Sequence, residues 1–360
     1  MKRLLTLALA ALVVTAGAAG RRSWRLYPRL RLMLGTAMVL TALLWIAVTV
    51  PLLEARTTIA FTRDRAIPSY LGALTAHAAL SDADRSAWLS FRSGEAQLIG
   101  PGQRYQDDIT TAGQNLEHLA ELDTAGPEGR QLLRAVNGQL VTYQGLVEQA
   151  DASYREGDRP LGFAYLTYAT TSLHNPGGLL SRVDQIGEID HRAVLSGQNS
   201  VWVRPGVLLL PAIVAVLLLG FLVLVQVYVA LGFRRTINLP LVAACVLLTG
   251  LTAGAFGAMI HSGQAFQTAE SRALPALTGI WQAQIGGADA GTAALRAGRT
   301  AGSSGGLDVA ATEPAQQRLD SGLAAAANTG GLVVVLPLLA LGVAGLAALG
   351  LQLRLHEFRG

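Results

Sequence analysis

Four long, uninterrupted apolar stretches dominate the pattern of hydrophobic and polar positions along the 360-residue chain. None of them contains a charged side chain, and each has the roughly 20 residues that a helix needs to cross the hydrocarbon core of a bilayer. They predict an all-α membrane protein with four transmembrane helices and a multi-pass location in the cell membrane. The predicted transmembrane helices are residues 32–53, 206–231, 239–260 and 332–351.

The first 31 residues contain a shorter apolar stretch whose nature stays open. Residues 4–19 follow a basic start and end on small residues, which is the pattern of a signal peptide. Cleavage there would leave the arginines between residues 21 and 31 outside and would invert every later helix, so this interpretation is the least favoured. The alternatives are a fifth, uncleaved membrane helix and a mis-assigned start, and both preserve the orientation of the rest.

Arginines on the short flanking segments predict how the four helices are oriented. They cluster between residues 21 and 31, form the pair Arg234 and Arg235, and recur near the end of the chain. The positive-inside rule places these flanks in the cytoplasm. The predicted cytoplasmic segments are the basic flank within residues 1–31, the link 232–238 and the tail 352–360, and the predicted extracytoplasmic segments are residues 54–205 and 261–331.

The first extracytoplasmic segment shows helical periodicity along most of its length. Apolar positions such as Leu133, Val136, Leu140 and Tyr143 alternate by three and four residues, as in helices packed at about 20°. Glycine–proline breaks divide the segment, which predicts an extracytoplasmic four-helix bundle with both ends at the membrane. The second segment predicts a smaller helical hairpin that packs on the bundle. The predicted bundle helices are residues 54–98, 103–123, 127–156 and 160–204.

An internal similarity links the two extracytoplasmic segments at an offset of 207 residues. Pro68 and Asp82 of the first segment correspond to Pro275 and Asp289 of the second, at the same distance from an apolar stretch. We therefore predict a duplicated span–helices–span unit whose second copy is shorter; chance similarity between alanine-rich helices is the alternative. An arginine–aspartate pair also precedes each return to the membrane. These pairs are Arg182 with Asp184 and Arg318 with Asp320.

The matched prolines suggest how the two outgoing helices could be coupled. A proline inside a helix removes one backbone hydrogen bond and bends the helix. Pro68 and Pro275 each lie about 22 Å beyond a predicted membrane helix, so two bends at one height would let both helices wrap a common axis. The simpler interpretation is that each proline only tolerates a bend near the membrane surface.

The sequence contains no motif that is typical of a catalytic or metal-binding site. The single cysteine, Cys245, excludes an intrachain disulfide framework, and the six histidines have no paired-ligand spacing. Asp107 and Asp108 are interpreted as acids that complement the positive end of a helix dipole. Asp82 and Asp84, two positions apart, do not share a helix face. We predict no enzymatic activity, no cofactor, no metal and no nucleic-acid partner.

Small residues within the predicted membrane helices indicate faces for close helix packing. Glycines spaced by three or four residues let two helix backbones approach each other. The glycines that form such faces are Gly250, Gly254 and Gly257 on the third helix and Gly342 and Gly345 on the fourth.

Two stretches of the first extracytoplasmic segment resemble a known family. They read "YLGALTAHAALSDADRSAWLSFRSGEAQLIGPGQRYQDDITTAGQNLEHLAEL" and "YREGDRPLGFAYL", and they are similar to the GlnX-type membrane proteins of actinobacteria. The layout of membrane helices and outer domains is similar as well, over about residues 30–355, whereas the stretch at 4–19 departs from the family pattern. The resemblance implies a transmembrane coupler without catalytic residues. Its implied partners are an amino-acid-binding lipoprotein outside and a Ser/Thr protein kinase of the protein kinase G type inside.

The predicted function is a non-enzymatic transmembrane signal relay from an extracytoplasmic helical sensor domain to a cytoplasmic partner. The cytoplasmic segments are too short to fold into a signalling domain, so we expect another protein to read the signal at Arg234 and Arg235. The alternative is a structural or assembly partner of the cell envelope. The sequence leaves open whether the protein forms a homodimer.

Overall fold

The structure is a computed structural model that describes residues 26–198, 205–233, 239–300, 306–327, 341–343 and 345–346. All regular secondary structure in these residues is helical and no strand occurs among them, so the predicted all-α class is confirmed. The chain forms two compact units. Residues 1–59, 199–266 and 324–360 belong to the first, which we call the apolar unit, and residues 60–198 and 267–323 belong to the second, which we call the charged unit.

Glycine- and proline-containing breaks separate the helices of the charged unit, as the sequence predicts. Pro127 and Pro160, for example, lie in the first turns of their helices, where a missing N–H costs no hydrogen bond. The α-helices are α1 (Leu26–Phe61), α2 (Ile67–Ser93), α3 (Ala96–Ile99), α4 (Gln103–Leu122), α5 (Gly126–Arg155), α6 (Arg159–His174), α7 (Leu179–Gln198), α8 (Pro205–Phe233), α9 (Leu239–Thr268), α10 (Leu274–Arg296) and α11 (Glu313–Ala327).

The apolar unit has a core of aliphatic side chains from α1, α8 and α9. Leu40, Leu218 and Leu248 are buried together there with Val343. Two helical stretches, Gly35–Ser93 and Val242–Arg296, contain a window long and apolar enough to cross a membrane, and a third apolar helix, Pro211–Val227, is shorter. These findings support a membrane protein, while the number of transmembrane helices stays a prediction.

Some predictions fall on parts of the chain that lie outside the described residues. They concern the apolar stretch at residues 4–19, the part of the arginine cluster before residue 26, most of the fourth predicted membrane helix, and Arg234 and Arg235.

α2 is the central helix of the charged unit. It packs against α4 and α7 of the first predicted extracytoplasmic segment and against α10 of the second, while α5 packs against α6 and α7. Every residue from Ala76 to Trp88 is buried, because neighbouring helices cover all sides of this stretch. The many alanines and serines of α2 let those neighbours approach closely, so the second extracytoplasmic segment lies directly on the first.

The apolar positions predicted on α5 form a buried face. Leu133, Val136 and Tyr143 all lie in the core of the charged unit, which confirms the assigned face. Against this helix, α6 presents Gly162, where a β-carbon would lie 3.0 Å from the carbonyl oxygen of Ala150. A glycine is therefore needed there for the two helix backbones to pack this closely.

A π-helical turn precedes each of the two matched prolines. The turns are Thr62–Ala66 and Ala269–Ala273, 207 residues apart, and the residue after each turn donates its N–H to a carbonyl five positions earlier. Proline has no N–H to donate to the carbonyl oxygen four positions earlier, so that α-helical hydrogen bond is missing. Just before each proline, the π-helical turn replaces the α-helical hydrogen-bonding pattern. Pro68 and Pro275 therefore lie in the first α-helical turn after each π-helical turn, within the longer helical stretches Gly35–Ser93 and Val242–Arg296.

The predicted glycine faces are open in the described part of the chain. Gly250, Gly254 and Gly257 are exposed on α9, and no described atom lies within 4 Å of a β-carbon built on any of them. The same holds for Gly342 and Gly345. Among the described residues, no other helix packs closely against these glycines, so close helix packing at these positions stays a prediction.

Candidate functional site

Two carboxylates of α2 lie deep inside the charged unit. Asp82 is 2% exposed and Asp84 is 0% exposed. They contact different neighbours, as their spacing predicts, yet both are removed from water because helices surround α2 on all sides. A buried carboxylate is strongly unfavourable without hydrogen-bond donors or cations, so the partners of these two groups define the polar interior.

Asp82 joins three parts of the chain. Its Oδ1 accepts hydrogen bonds from Nε of Arg85 at 2.9 Å and lies 2.8 Å from Nη2 of the same side chain. Its Oδ2 accepts from Nε of Arg104 on α4 at 3.1 Å and from the backbone N–H of Leu307 at 3.0 Å. Both oxygens are therefore occupied, and α2, α4 and the segment that follows α10 meet at one carboxylate.

Two glycines provide the space that the side chains of Arg85 and Arg104 fill. A β-carbon at Gly291 of α10 would lie 2.7 Å from Cδ of Arg85. A β-carbon at Gly306 would lie 0.6 Å from Nη2 of Arg104, so the guanidinium group fills the space beside that glycine. The second extracytoplasmic segment thus covers both arginines of the Asp82 cluster at positions without side chains.

Asp108 of α4 brings a second carboxyl group against Asp82. It is 6% exposed and lies one helical turn after Arg104, whose side chain bonds to Asp82. Burial, followed by the charge of Asp82, raises the pKa of Asp108 to about 7, whereas the charge of Arg104 acts in the opposite direction. Burial and a neighbouring carboxylate both disfavour the charged form of a carboxyl group, so this position favours protonated Asp108.

Asp84 organises a second cluster with side chains from α5 and α6. Its Oδ1 accepts hydrogen bonds from the hydroxyl groups of Thr170 at 2.8 Å and Tyr143 at 3.3 Å, and its Oδ2 lies 3.4 Å from Nε2 of His174. Trp88 donates its indole N–H to the same Thr170 hydroxyl at 2.7 Å. The contact with Asp84 raises the pKa of His174, and burial raises that of Tyr143. These shifts favour a charged histidine and a neutral tyrosine beside the carboxylate.

A third set of polar contacts ties α7 to α2. The Ser69 hydroxyl donates to Asp190 at 2.5 Å, and Nδ1 of His77 lies 2.6 Å from Asp184. Burial raises the pKa of Asp190 to about 6, and the hydrogen bond from Ser69 acts in the opposite direction. Because Ser69 follows Pro68 directly, this contact holds α7 to the start of α2, next to the first π-helical turn.

The matched aspartates of the predicted repeat lie in similar helices but in different surroundings. Asp82 is the buried centre of the first cluster. Asp289 is half-buried on α10, has one oxygen without a described hydrogen-bond partner, and helps to raise the pKa of His174. Both therefore contribute charge to the interior of the charged unit.

The arginine–aspartate pairs before the returning helices do not converge with these aspartates. Arg182 donates to the carbonyl oxygen of Gly177 at 3.1 Å, and Asp184 makes the contact with α2 described above. Arg318 and Asp320 are exposed on α11. The shared sequence of the two pairs thus corresponds to different environments.

Asp108 is the residue of this interior that the sequence interpretation missed. It was assigned with Asp107 to the helix dipole, but only Asp107 is exposed, where it accepts a hydrogen bond from Gln103. Asp108 shares the buried face of α4 with Tyr105 and Ala112. Its spacing of three and four residues from those two side chains was the signal that could have placed it inside.

The arrangement of these groups suits control of structure and charge. In the described part of the chain, no group of three or more histidine, cysteine, aspartate or glutamate residues could hold a metal ion. Arginine and backbone N–H groups occupy both oxygens of Asp82 instead, and hydroxyl groups occupy Oδ1 of Asp84. Protonation of a buried carboxyl group here would change which chain segments are held together.

Residues 59–199 match the family model of the actinobacterial sensor domain. The match covers α2–α7 and both aspartate clusters, which supports an actinobacterial sensor protein with a role in sensing or signalling. Leu307 and the rest of the second extracytoplasmic segment lie outside the matched residues, so Asp82 holds a segment that follows the matched domain by more than a hundred residues. No curated protein and no solved structure matches the chain.

Proposed function

We propose that the protein is a non-enzymatic, multi-pass transmembrane signal relay in which the charged unit senses conditions outside the membrane. The match to the sensor domain supports the sensing role. The observation that carries the relay is the unbroken helical backbone of Gly35–Ser93 and of Val242–Arg296. Each of these stretches contains an apolar window and then continues into the charged unit, so a change in the charged unit has a covalent helical connection to the apolar helices.

The proposed partners follow from the resemblance to the GlnX-type proteins. An amino-acid-binding lipoprotein would dock on the charged unit outside, and a Ser/Thr kinase would respond inside at the basic link that contains Arg234 and Arg235. A ligand or partner can shift the protein between two states only if it binds one of them more tightly. The docking of the outer partner supplies that difference in this proposal.

The two π-helical turns are the elements through which we propose that the signal passes. π-Helical turns inside longer helices occur often at functional sites, and here each lies where an apolar helix meets the charged unit. The contact of Asp190 with Ser69 places α7 beside the first of them. A movement of α7 can therefore act on the turn that leads to α1.

Replacing Pro68 and Pro275 by alanine tests this relay. Alanine restores the missing N–H and allows a regular α-helical bond in place of the π-helical turn, which would fix one arrangement of each helix. We expect Pro68→Ala and Pro275→Ala, singly and together, to be expressed at normal levels but to alter phosphorylation of the inner kinase's substrates when the outer amino-acid supply changes.

Pro160→Ala is the matched control. Pro160 lies in the first turn of α6 in the same unit, but no π-helical turn precedes it, so its loss should leave the response unchanged. If both single variants and the double variant respond as the wild type does, the relay through the π-helical turns is wrong. A structural role in the cell envelope, which needs only one arrangement of the helices, would then be the better proposal.

A further inference from the structure

The segment formed by residues 306–309, which we call the anchored segment, is held at two points. The backbone N–H of Leu307 donates to Asp82 at 3.0 Å. One residue further on, the side-chain amide of Gln284 on α10 donates to the carbonyl oxygen of Asp308 at 2.9 Å and accepts from its N–H at 3.2 Å. The first attachment involves a charged group and the second involves neutral groups only.

The attachment to Asp82 depends on the carboxyl pair, by which we mean Asp82 and Asp108. The two oxygens of Asp82 already accept hydrogen bonds from Arg85, Arg104 and the anchored segment. Asp108 has one oxygen, Oδ2, that is buried without a hydrogen-bond partner among the described residues. Protonated Asp108 tolerates this position, whereas ionised Asp108 would need a new donor or water.

We propose that the carboxyl pair is a proton-operated switch, and that loss of the proton from Asp108 releases the anchored segment from α2 and α4. This inference goes beyond the signal relay, since it concerns a response of the charged unit to pH whatever protein reads that response.

The path of release follows from the position of Arg104. Its side chain is about half exposed and fills the space beside Gly306, and its charge already acts on Asp108, so it is the cation that ionised Asp108 would recruit. Movement of Arg104 toward Asp108 takes a donor from Asp82 and uncovers Gly306. Entry of water to Asp108 would equally require the anchored segment to move away.

The direction of the pH dependence follows from the raised pKa of Asp108. A carboxyl group whose pKa in the folded protein lies above its ordinary value stabilises the fold fully in acid, and the contribution is lost as the pH rises through the higher value. For Asp108 that value is about 7. The anchored segment should therefore be held at acidic pH and released above neutrality.

Other titratable and charged groups also face the carboxyl pair, and their charges enter the same equilibrium. The groups on α2 and α4 lie in the same two helices as the carboxyl pair. The groups on α5, α6 and α10 act on the pKa values of Tyr105, Tyr143 and His174, which surround it. They are Asp84 and Arg85 on α2, Arg104, Tyr105 and Asp107 on α4, Tyr143 and Glu148 on α5, His174 on α6, and Asp289 on α10.

Amide hydrogen exchange of the full chain in lipid nanodiscs measures the switch. A peptide that covers residues 306–312 should show protection, corrected for the intrinsic pH dependence of exchange, that falls by roughly tenfold between pH 5 and pH 8.5 as the hydrogen bond to a charged acceptor is lost. The midpoint should lie near the pKa of Asp108. In Asp108→Asn, which keeps the shape without the charge, protection should stay high and show no midpoint.

Two further variants separate the switch from simple loosening of the segment. Asp107→Asn should keep the transition with a slightly lower midpoint, because the charge of Asp107 contributes to raising the pKa of Asp108. Gln284→Ala removes the neutral attachment, so it should lower protection at every pH and leave the midpoint unchanged.

Constant corrected protection in the wild type across this pH range would overturn the proposal. So would a fall in Asp108→Asn equal to that of the wild type, since another group would then titrate. If Asp108→Asn fails to fold by circular dichroism, the midpoint shift in Asp107→Asn decides, because an unshifted or raised midpoint contradicts a role for Asp108.

Discussion

At the scale of single residues, the polar interior of the charged unit depends on hydroxyl groups as much as on charges. The Thr170 hydroxyl receives the indole N–H of Trp88 and donates to Asp84, so one oxygen atom connects α6 to two positions of α2. Because these atoms are buried, the loss of that oxygen would leave the Trp88 N–H without a partner and would take from Asp84 one of the two hydroxyl donors to its Oδ1.

Thr170→Val should therefore destabilise the protein although the two side chains have almost the same shape. We expect a loss on the order of 2 kcal/mol in the free energy of unfolding, because two buried polar groups lose a partner. Thr171→Val is the matched control, since the Thr171 hydroxyl bonds only to the carbonyl oxygen of Thr167 in its own helix. Denaturant titrations followed by circular dichroism measure both, and an equal effect of the two substitutions would contradict the shared role of Thr170.

Individual residues also show where sequence interpretation succeeds and where it stops. Tyr143 was placed in the core by its spacing from other apolar residues, and the structure confirms that position. Asp108 has the right spacing too, but a carboxyl group carries no apolar signal. Its burial follows from the packing of α4 against α2, and contacts between separate helices do not appear in the periodicity of any one helix.

At the scale of elements, α2 and α5 illustrate two kinds of helix. One side of α5 is apolar and the other polar, so its spacing alone identifies the buried face. α2 is buried on all sides between Ala76 and Trp88, and a helix of that kind has no polar face for a periodicity to reveal. The sequence could therefore predict α2 as a helix but not as the central one, because only the packing of α10 completes its surroundings.

Gly291 tests how closely α10 must approach α2. A methyl group there would meet the side chain of Arg85, so Gly291→Ala should displace that arginine from Asp82 and destabilise the protein by about 1–2 kcal/mol. Gly287, one turn earlier on α10, has no described atom within 4 Å of a β-carbon. Gly287→Ala should be neutral or should stabilise the helix by about 0.5–1 kcal/mol, and thermal unfolding that ranks the two variants the other way would contradict the packing.

At the scale of the whole molecule, the relay requires that the charged unit face the outside and the basic link the inside. We predict that single cysteines introduced by Tyr168→Cys and Val309→Cys, in a Cys245→Ala background, react with a membrane-impermeant thiol reagent on intact cells. Both positions are exposed, at 64% and 54%. Thr236→Cys in the link between α8 and α9 should react only after the cells are opened.

Labelling in the opposite pattern would show that the orientation is reversed. The apolar stretch at residues 4–19 would then act as a cleaved signal peptide, and the arginine cluster that follows it would lie outside. Protection of all three positions in intact cells would instead place both units away from the outer surface.

The two π-helical turns bear on the evolutionary history of the chain. A π-helical turn has a hydrogen bond that spans five residues instead of four, so inserting one residue into an α-helix produces such a turn. Here the turns and the helix starts that follow them keep the same spacing of 207 residues. One insertion followed by a duplication accounts for both, whereas independent origins require the same insertion twice at equivalent positions. The extra residue would then be older than the division of the chain into its two extracytoplasmic segments.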